Sequence, residues 1–140
     1  IAGSSKRIYC YGGAVSVDRV MRTPSKSYWG GEGVRRLSPK ELKEIPKVDI
    51  VLTHTRPAGV FPIDKDNIKG WLDRDYNLAY DLDKELSKIT EVFEVLYKKN
   101  PKGFVHYYGH FHTSNIELFG VYKHQLLNIN ELIEHPVGYD

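Results

Sequence analysis

The apolar residues between Asn77 and Asn100 recur at steps of three and four along the chain. That spacing is typical of one face of an amphipathic helix. The positions concerned are Leu78, Leu82, Leu86, Ile89, Phe93 and Leu96. The pattern predicts a helix over residues 77 to 100 that packs one face on a core, and Pro101 and Gly103 end it.

Three short runs rich in β-branched and aromatic residues predict β-strands. They lie at residues 7 to 11, 48 to 52 and 104 to 108. The run at 48 to 52 is largely apolar, which is typical of a strand buried on both faces. Because strand, helix and strand follow one another in that order, the sequence predicts an α/β fold with parallel strands.

The rest of the chain predicts loops and short elements. Ser38-Pro39-Lys40-Glu41 has the pattern of a capping box, so we expect a short helix that ends before Pro46. Residues 15 to 37 and 55 to 75 lack a steady period, and we expect two long surface loops there. After the last of the three strands, the sequence predicts a hairpin around Gly120 and a short closing helix. These three elements lie at residues 115 to 119, 121 to 129 and 130 to 135.

Histidines follow two of the predicted strands directly. His54 comes after the strand at 48 to 52, and His110 and His112 come after the strand at 104 to 108. Ligands of open α/β sheets bind outside the carboxyl ends of strands, so we expect the three imidazoles at one edge. Two histidines on one irregular turn can each serve one of two metal ions about 3.5 to 4 Å apart. Imidazoles completed by carboxylates favour Mn, Fe or Zn over Ca or Mg.

The other histidines and the cysteine have plainer explanations. His106 alternates with apolar strand positions and is predicted to be a packed core histidine, whereas His124 and His135 are predicted to be solvated. Cys10 is interpreted as a small buried hydrophobe rather than a nucleophile. His54 taken alone also fits a hydrogen-bonded turn residue, so a structural role stays open for it.

Composition narrows the class of protein without naming a partner. With 41% hydrophobic and 27% charged residues, the chain is a globular domain rather than a disordered tail. The formal net charge of +2 argues mildly against long nucleic acid as a partner. The single cysteine cannot form an internal disulfide, which favours the cytoplasm. No apolar run approaches the ~20 residues that span a bilayer, so we expect no membrane partner.

Three segments, taken together, resemble the calcineurin-like metallophosphoesterases. The turn Gly109-His110-Phe111-His112 and the segment Thr53-His54-Thr55-Arg56-Pro57 look like the last two motifs of that family. The segment Gly-Gly-Ala-Val-Ser-Val-Asp-Arg at residues 12 to 19 is similar to one in bacterial and phage members. Arg22, Trp29 and Glu32 follow it in this chain. The resemblance covers essentially the whole sequence.

The resemblance implies a four-layer αββα sandwich with two divalent cations, Mn, Fe or Zn, at the edge of the sheet. Matched by position, His54 and His110 would bind the second metal and His112 the first. In this family a metal-bound hydroxide attacks phosphorus, and the cations stabilise charge on the phosphoryl oxygens. The implied protein is a phosphoesterase whose substrate is a phosphomonoester or a phosphodiester.

The first three motifs of the family are absent from these 140 residues. They are an Asp-x-His pair, a Gly-Asp-x-x-Asp-Arg segment with the bridging carboxylate, and a Gly-Asn-His segment with the general acid. The chain begins at Ile1, and Gly3-Ser4-Ser5-Lys6 resembles a hairpin turn without its first strand. We expect residues 1 to 140 to be the carboxyl-terminal portion of a single metallophosphoesterase domain. Alone, this portion would hold metal weakly and hydrolyse little.

Two other hypotheses and the choice of substrate stay open. The chain could be a non-catalytic scaffold or binding module that keeps the turn only for structure, or a domain that binds a single zinc ion through His54, His110 and His112. Arg56 either contacts a phosphate group or is a surface arginine before Pro57. The phosphoesterase is the leading hypothesis, and nothing in the sequence names its substrate.

Overall fold

The computed structural model describes residues 5 to 136, so Gly3 and Ser4 of the predicted hairpin turn lie outside the described residues. It is a mixed α/β structure built on one five-stranded sheet. The strands are β1 (Ile8–Tyr11), β2 (Ile50–Thr53), β3 (Val105–Tyr108), β4 (Asn115–Phe119) and β5 (Tyr122–Leu126). The helices are α1 (Pro39–Glu44), α2 (Lys69–Arg74) and α3 (Leu78–Lys99), with 3-10 turns at Arg19–Met21 and Asp66–Ile68. The predicted α/β class is confirmed.

The sheet has the strand order β1-β2-β3-β5-β4, in which only β4 runs antiparallel to its neighbour. Helix α3 lies between β2 and β3 in the chain and supplies the long crossover that parallel neighbours require. The register aligns Ile50 with Val105, so the carboxyl ends of β2 and β3 lie side by side. This pairing positions the two histidine-bearing turns.

The main core lies between α3 and one face of the sheet. Helix α3 buries Ile89, Val92, Phe93 and Leu96, which pack with Val51 of β2 and other buried residues. The predicted apolar stripe is therefore confirmed over the second half of the helix and at Leu78 at its start. In the first half, Leu82 and Leu86 are only partly buried, and both line a cleft described below.

The opposite face of the sheet is only partly covered within residues 5 to 136, where Ile50 and Tyr107 are its buried residues. Exposed apolar side chains on its strands are Ile8, Leu52, Ile116 and Leu118. Leu52 is 38% exposed, so the prediction that its strand is buried on both faces is wrong. Cys10 is also exposed, and its prediction as a buried residue is wrong for the same reason. Alternate residues of a strand point to opposite faces, and here only one face carries helices.

Near the loops, one prediction is confirmed and two are wrong. The capping box of α1 is confirmed, because Ser38 Oγ accepts from the Glu41 N–H at 3.2 Å and Glu41 Oε2 from the Ser38 N–H at 2.8 Å. Residues 55 to 75 are not a plain loop, since they include α2, which contacts α3. Residues 130 to 135 are not helical: Asn130 has a left-handed φ of 58°, which no helix continues.

Gly103 ends the turn after α3 in a conformation that other residues rarely adopt. Its φ is +99°, and a Cβ added there would overlap the carbonyl group of Val121. Gly120, in the hairpin between β4 and β5, also has a positive φ of +60°, but nothing lies within 4 Å of its added Cβ. Comparing alanine substitutions at the two glycines therefore distinguishes the cost of backbone strain from the cost of steric overlap.

Gly103→Ala is expected to lower the free energy of unfolding by about 3 kcal/mol, because a left-handed residue costs ~1–2 kcal/mol and overpacking adds a similar amount. Gly120→Ala is the matched control and is expected to cost only the strain, about 1 kcal/mol. Urea unfolding followed by circular dichroism measures both values. Equal losses at the two positions would contradict the overlap seen at Gly103.

Candidate functional site

Two histidines meet at the carboxyl edge of the parallel strands. His54 directly follows β2, and His110 lies in the turn that follows β3. His54 Nε2 and His110 Nδ1 are 3.2 Å apart. The turns themselves are joined, because the Gly109 N–H donates to the carbonyl oxygen of His54 at 3.1 Å. The structure thus brings together two of the three predicted site residues, and His112 lines the same cleft.

The turn after β3 holds two histidines in left-handed backbone conformations. The φ of His110 is 75° and that of His112 is 53°. A non-glycine residue with this φ is uncommon and costs roughly 1–2 kcal/mol. Such conformations persist where the surrounding structure enforces them, and they cluster at functional sites. Glycine would satisfy this turn geometry at lower cost, so the two histidines are candidates for a functional role.

The separation of the two nitrogens fits chelation of one metal ion. Two nitrogens that each lie about 2.0–2.1 Å from a tetrahedral zinc ion are about 3.3 Å apart, which follows from the tetrahedral angle. The distance between His54 Nε2 and His110 Nδ1 is 3.2 Å. A hydrogen bond between two neutral imidazoles has the same length, so either arrangement satisfies both rings.

Burial favours the neutral, metal-binding form of these imidazoles. It lowers the pKa of His54, with a smaller contribution from the nearby His112. It lowers the pKa of His110 to about 4, helped by repulsion from His54 and His112. Both rings are therefore neutral at pH 7, and metal ions bind to neutral imidazole.

Within residues 5 to 136, no group of three or more His, Cys, Asp or Glu side chains is close enough to hold a metal ion. The acidic side chains of the cleft are used elsewhere. Asp18 accepts from Arg22 at 2.7 Å, and Glu85 accepts from the backbone N–H of Val15. The donor set fits a metal ion in part: two converging imidazoles are in place, and carboxylate ligands would have to come from elsewhere.

A buried chain of hydrogen bonds supports the turn that carries His54. Thr53 donates its hydroxyl hydrogen to the carbonyl oxygen of Thr55, so Thr53 Oγ1 accepts from His106 Nε2–H at 2.7 Å. His106 Nδ1 then accepts from His124 Nδ1–H at 2.8 Å, and His124 Nε2 accepts from the Tyr97 hydroxyl at 3.1 Å. This direction satisfies every nitrogen with both rings neutral.

The structure confirms the prediction for His106 and corrects the predictions for His124 and His135. His106 is fully buried, as predicted for a core residue. His124 was predicted to be solvated, and this is wrong: β5 lies inside the sheet between β3 and β4, and the ring is fully buried. His135 was also predicted to be solvated, but it is half-buried, with Nδ1 2.6 Å from the Tyr107 hydroxyl.

A cleft of about 550 Å³ opens beside the three histidines on the α3 side of the sheet. Both of the long loops expected from the sequence contribute to it. Its lining includes His54, Arg56, Lys65, Ile68, Trp71, Leu82, Glu85, Leu86, His110, Phe111 and His112. The volume lies in the range of sites for small organic ligands, about 300 to 1,000 Å³.

Charged side chains hold the first loop against α3. Arg19 pairs with Asp75 and with Asp81, the latter at 2.8 Å, and its side chain is only 15% exposed. Glu85 of α3 is 6% exposed and anchors Val15 of the same loop. The sequence gives one signal for Glu85, because it interrupts the apolar face of the helix three residues after Leu82. These contacts hold the first loop beside the cleft, and the Arg19 guanidinium is itself paired with the two aspartates.

No protein-family model matches the chain, and neither a curated protein nor a solved structure matches it at a significant level. A proposal about function therefore depends on the fold, the site geometry and the sequence motifs. In the part of the chain that the structure describes, none of the helices has the length and apolar character needed to cross a membrane.

The buried His106–His124 pair makes stability depend on pH. Burial lowers the pKa of His124 to about 4 and that of His106 well below its usual value. The unfolded chain takes up these protons near pH 6.5. The folded state is therefore at full stability above pH 6.5 and loses it as the pH falls toward 4.

His124→Gln retains a donor and an acceptor but cannot titrate. Between pH 7 and pH 4.5 it is expected to lose roughly 2–3 kcal/mol less unfolding free energy than the unsubstituted chain. Urea unfolding at the two pH values measures the difference, and His54 and His110 contribute equally in both proteins. Parallel pH profiles would show that His124 does not titrate on unfolding.

Proposed function

We propose that the chain is the carboxyl-terminal portion of a metal-dependent phosphoesterase, with a phosphomonoester or phosphodiester as substrate. The observation that carries the proposal is the convergence of His54 Nε2 and His110 Nδ1, 3.2 Å apart, at the edge of a parallel sheet and beside a cleft. Neutral imidazoles, a strained turn and a ligand-sized cleft at one place support it.

Three side chains of this chain would hold the two divalent cations. His54 and His110 converge and would bind one ion, and His112, from the same turn as His110, would bind the other. Imidazole ligation favours Mn, Fe or Zn. When bound, such cations supply charge that stabilises the phosphoryl oxygens, and they acidify water for attack at neutral pH. The hydrogen bonds of Thr53 to His106 and to the Thr55 carbonyl hold the turn that carries His54.

The proposal places the missing carboxylate ligands and the general acid in a further portion of the same domain. Imidazole ligands carry no negative charge to balance two cations, and no carboxylate converges with these three histidines in residues 5 to 136. The exposed part of that sheet face, with Ile8, Leu52 and Leu118, supports a second sheet packed there. A four-layer αββα sandwich would cover that apolar surface.

A single-zinc domain is the second candidate. Two observations favour it. The distance between His54 Nε2 and His110 Nδ1 is the one expected for two ligands of a single tetrahedral zinc ion, and His112 is exposed. Metal stoichiometry separates the candidates. Two ions per chain in the full-length protein support the phosphoesterase, one supports the zinc domain, and none supports a scaffold that keeps the turn for structure.

His54→Ala and His110→Ala are each expected to weaken Mn²⁺ or Zn²⁺ binding by at least about tenfold, because each removes a ligand. Equilibrium dialysis followed by elemental analysis measures the bound metal. His135→Ala is the matched control, since His135 is half-buried but lies outside the cleft.

In the full-length protein, Mn²⁺ is expected to support release of p-nitrophenol from p-nitrophenyl phosphate or its bis ester. A chelator should abolish this release, and His110→Ala should reduce it at least about a hundredfold. Absence of turnover on both esters with Mn²⁺, Zn²⁺ and Fe²⁺ would contradict the phosphoesterase proposal.

A further inference from the structure

The cleft contains one arginine without an acidic partner. Within residues 5 to 136, Arg56 forms no ion pair, its Nε is buried without a hydrogen-bond partner, and Nη1 makes only a 3.5 Å contact with the carbonyl oxygen of Pro57. Its guanidinium lies 6.0 Å from the ring centre of Phe111. A buried donor left unsatisfied is destabilising, and an anion bound in the cleft would satisfy it.

The other two cationic side chains that line the cleft are already paired. Arg22 donates to Asp18 at 2.7 Å, and Lys65 to Asp83 at 2.8 Å. Arg56 therefore differs from these two neighbours in that no carboxylate of residues 5 to 136 is hydrogen-bonded to its guanidinium. The planar guanidinium has five N–H donors and matches the oxygens of a phosphate group in bidentate geometry.

The position of Arg56 links this charge to the candidate metal site. Arg56 lies two residues after His54, on the same turn beyond β2, and both side chains line the cleft together with His110. An anion held by Arg56 would therefore lie in the same cleft as the imidazoles. Glu85 also lines the cleft and is close enough to attract the Arg56 charge, but its carboxylate accepts a hydrogen bond from the backbone N–H of Val15 and none from Arg56.

An apolar wall lies in the same cleft. Trp71 of α2 and Ile68 before it line one part, and Leu82 and Leu86 of α3 line another. The two leucines belong to the apolar stripe of α3 but are only partly buried, so they present apolar surface to the cleft. An indole side chain and aliphatic groups beside a cation suit a planar aromatic ring joined to an anion.

We propose that Arg56 and Trp71 form a subsite for an aryl phosphate ester, in which Arg56 binds the phosphoryl oxygens and the Trp71 wall takes the aromatic ring. The inference rests on the proposed function and names its substrate class. Arg56 acts here by binding the substrate, and the apolar wall selects the alcohol portion.

Tryptophan fluorescence tests the subsite without metal or turnover. The chain has two tryptophans, so Trp29→Phe leaves Trp71 as the sole reporter. In the presence of EDTA, phenyl phosphate is expected to change Trp71 emission and to bind at least about tenfold more tightly than inorganic phosphate or phenol. Equal affinity for all three probes would overturn the combined subsite.

Substitutions in the Trp29→Phe background distinguish the contribution of Arg56 to phosphate binding from the contribution of the apolar wall to ring binding. Arg56→Gln is expected to weaken phenyl phosphate at least about tenfold, and Arg56→Lys by less, because lysine retains charge without the bidentate fork. Leu82→Ala should weaken phenyl phosphate but not inorganic phosphate, as measured by calorimetry. Arg36→Gln is the matched control, since it removes the same charge outside the cleft. Equal effects of Arg36→Gln and Arg56→Gln would overturn the proposal.

The outcomes distinguish this subsite from the proposed function. Binding of phenyl phosphate that depends on Arg56, without hydrolysis by the full-length protein, would contradict the phosphoesterase and leave the subsite. Hydrolysis with the same KM for phenyl phosphate before and after Arg56→Gln and Arg56→Lys would overturn the subsite and leave the phosphoesterase. Circular dichroism of each variant confirms that it is folded.

Discussion

The buried hydrogen-bond chain from Tyr97 to the Thr55 carbonyl is the constraint on which the site depends. It crosses from α3 through His124 and His106 to Thr53, and so joins the helix to β5, β3 and β2. Each buried nitrogen is satisfied only when both rings are neutral and donate in one direction. Because Thr53 immediately precedes His54, this chain fixes the start of the turn that meets His110.

The parts of this arrangement that depend on local sequence could be predicted. The capping box at Ser38, the stripe of α3 and the histidines at the strand ends are all set by residues close together in the chain. The burial of His124 could not be predicted, because it follows from the insertion of β5 between β3 and β4. Strand pairing at long sequence separation has no local signature.

The pairing of the charged side chains in the cleft could not be predicted from the sequence either. Three cations line it, and the sequence alone does not distinguish them. Arg22 and Lys65 are neutralised by Asp18 and Asp83, whereas Arg56 has no acidic partner among residues 5 to 136. This difference depends on tertiary neighbours, and it separates a cation that stabilises the fold from one available to a ligand. The exposure of Leu52 likewise depends on which layers pack on the sheet.

We propose that the paired imidazoles at the sheet edge hold a divalent metal ion. Crystals of the full-length protein grown with Zn²⁺ allow this to be measured by anomalous diffraction. Metal binding by both rings predicts an anomalous peak about 2.0–2.1 Å from His54 Nε2 and from His110 Nδ1. If saturating Zn²⁺ gives no anomalous peak at the sheet edge and the two rings remain hydrogen-bonded to each other, the imidazole pair does not bind a metal ion.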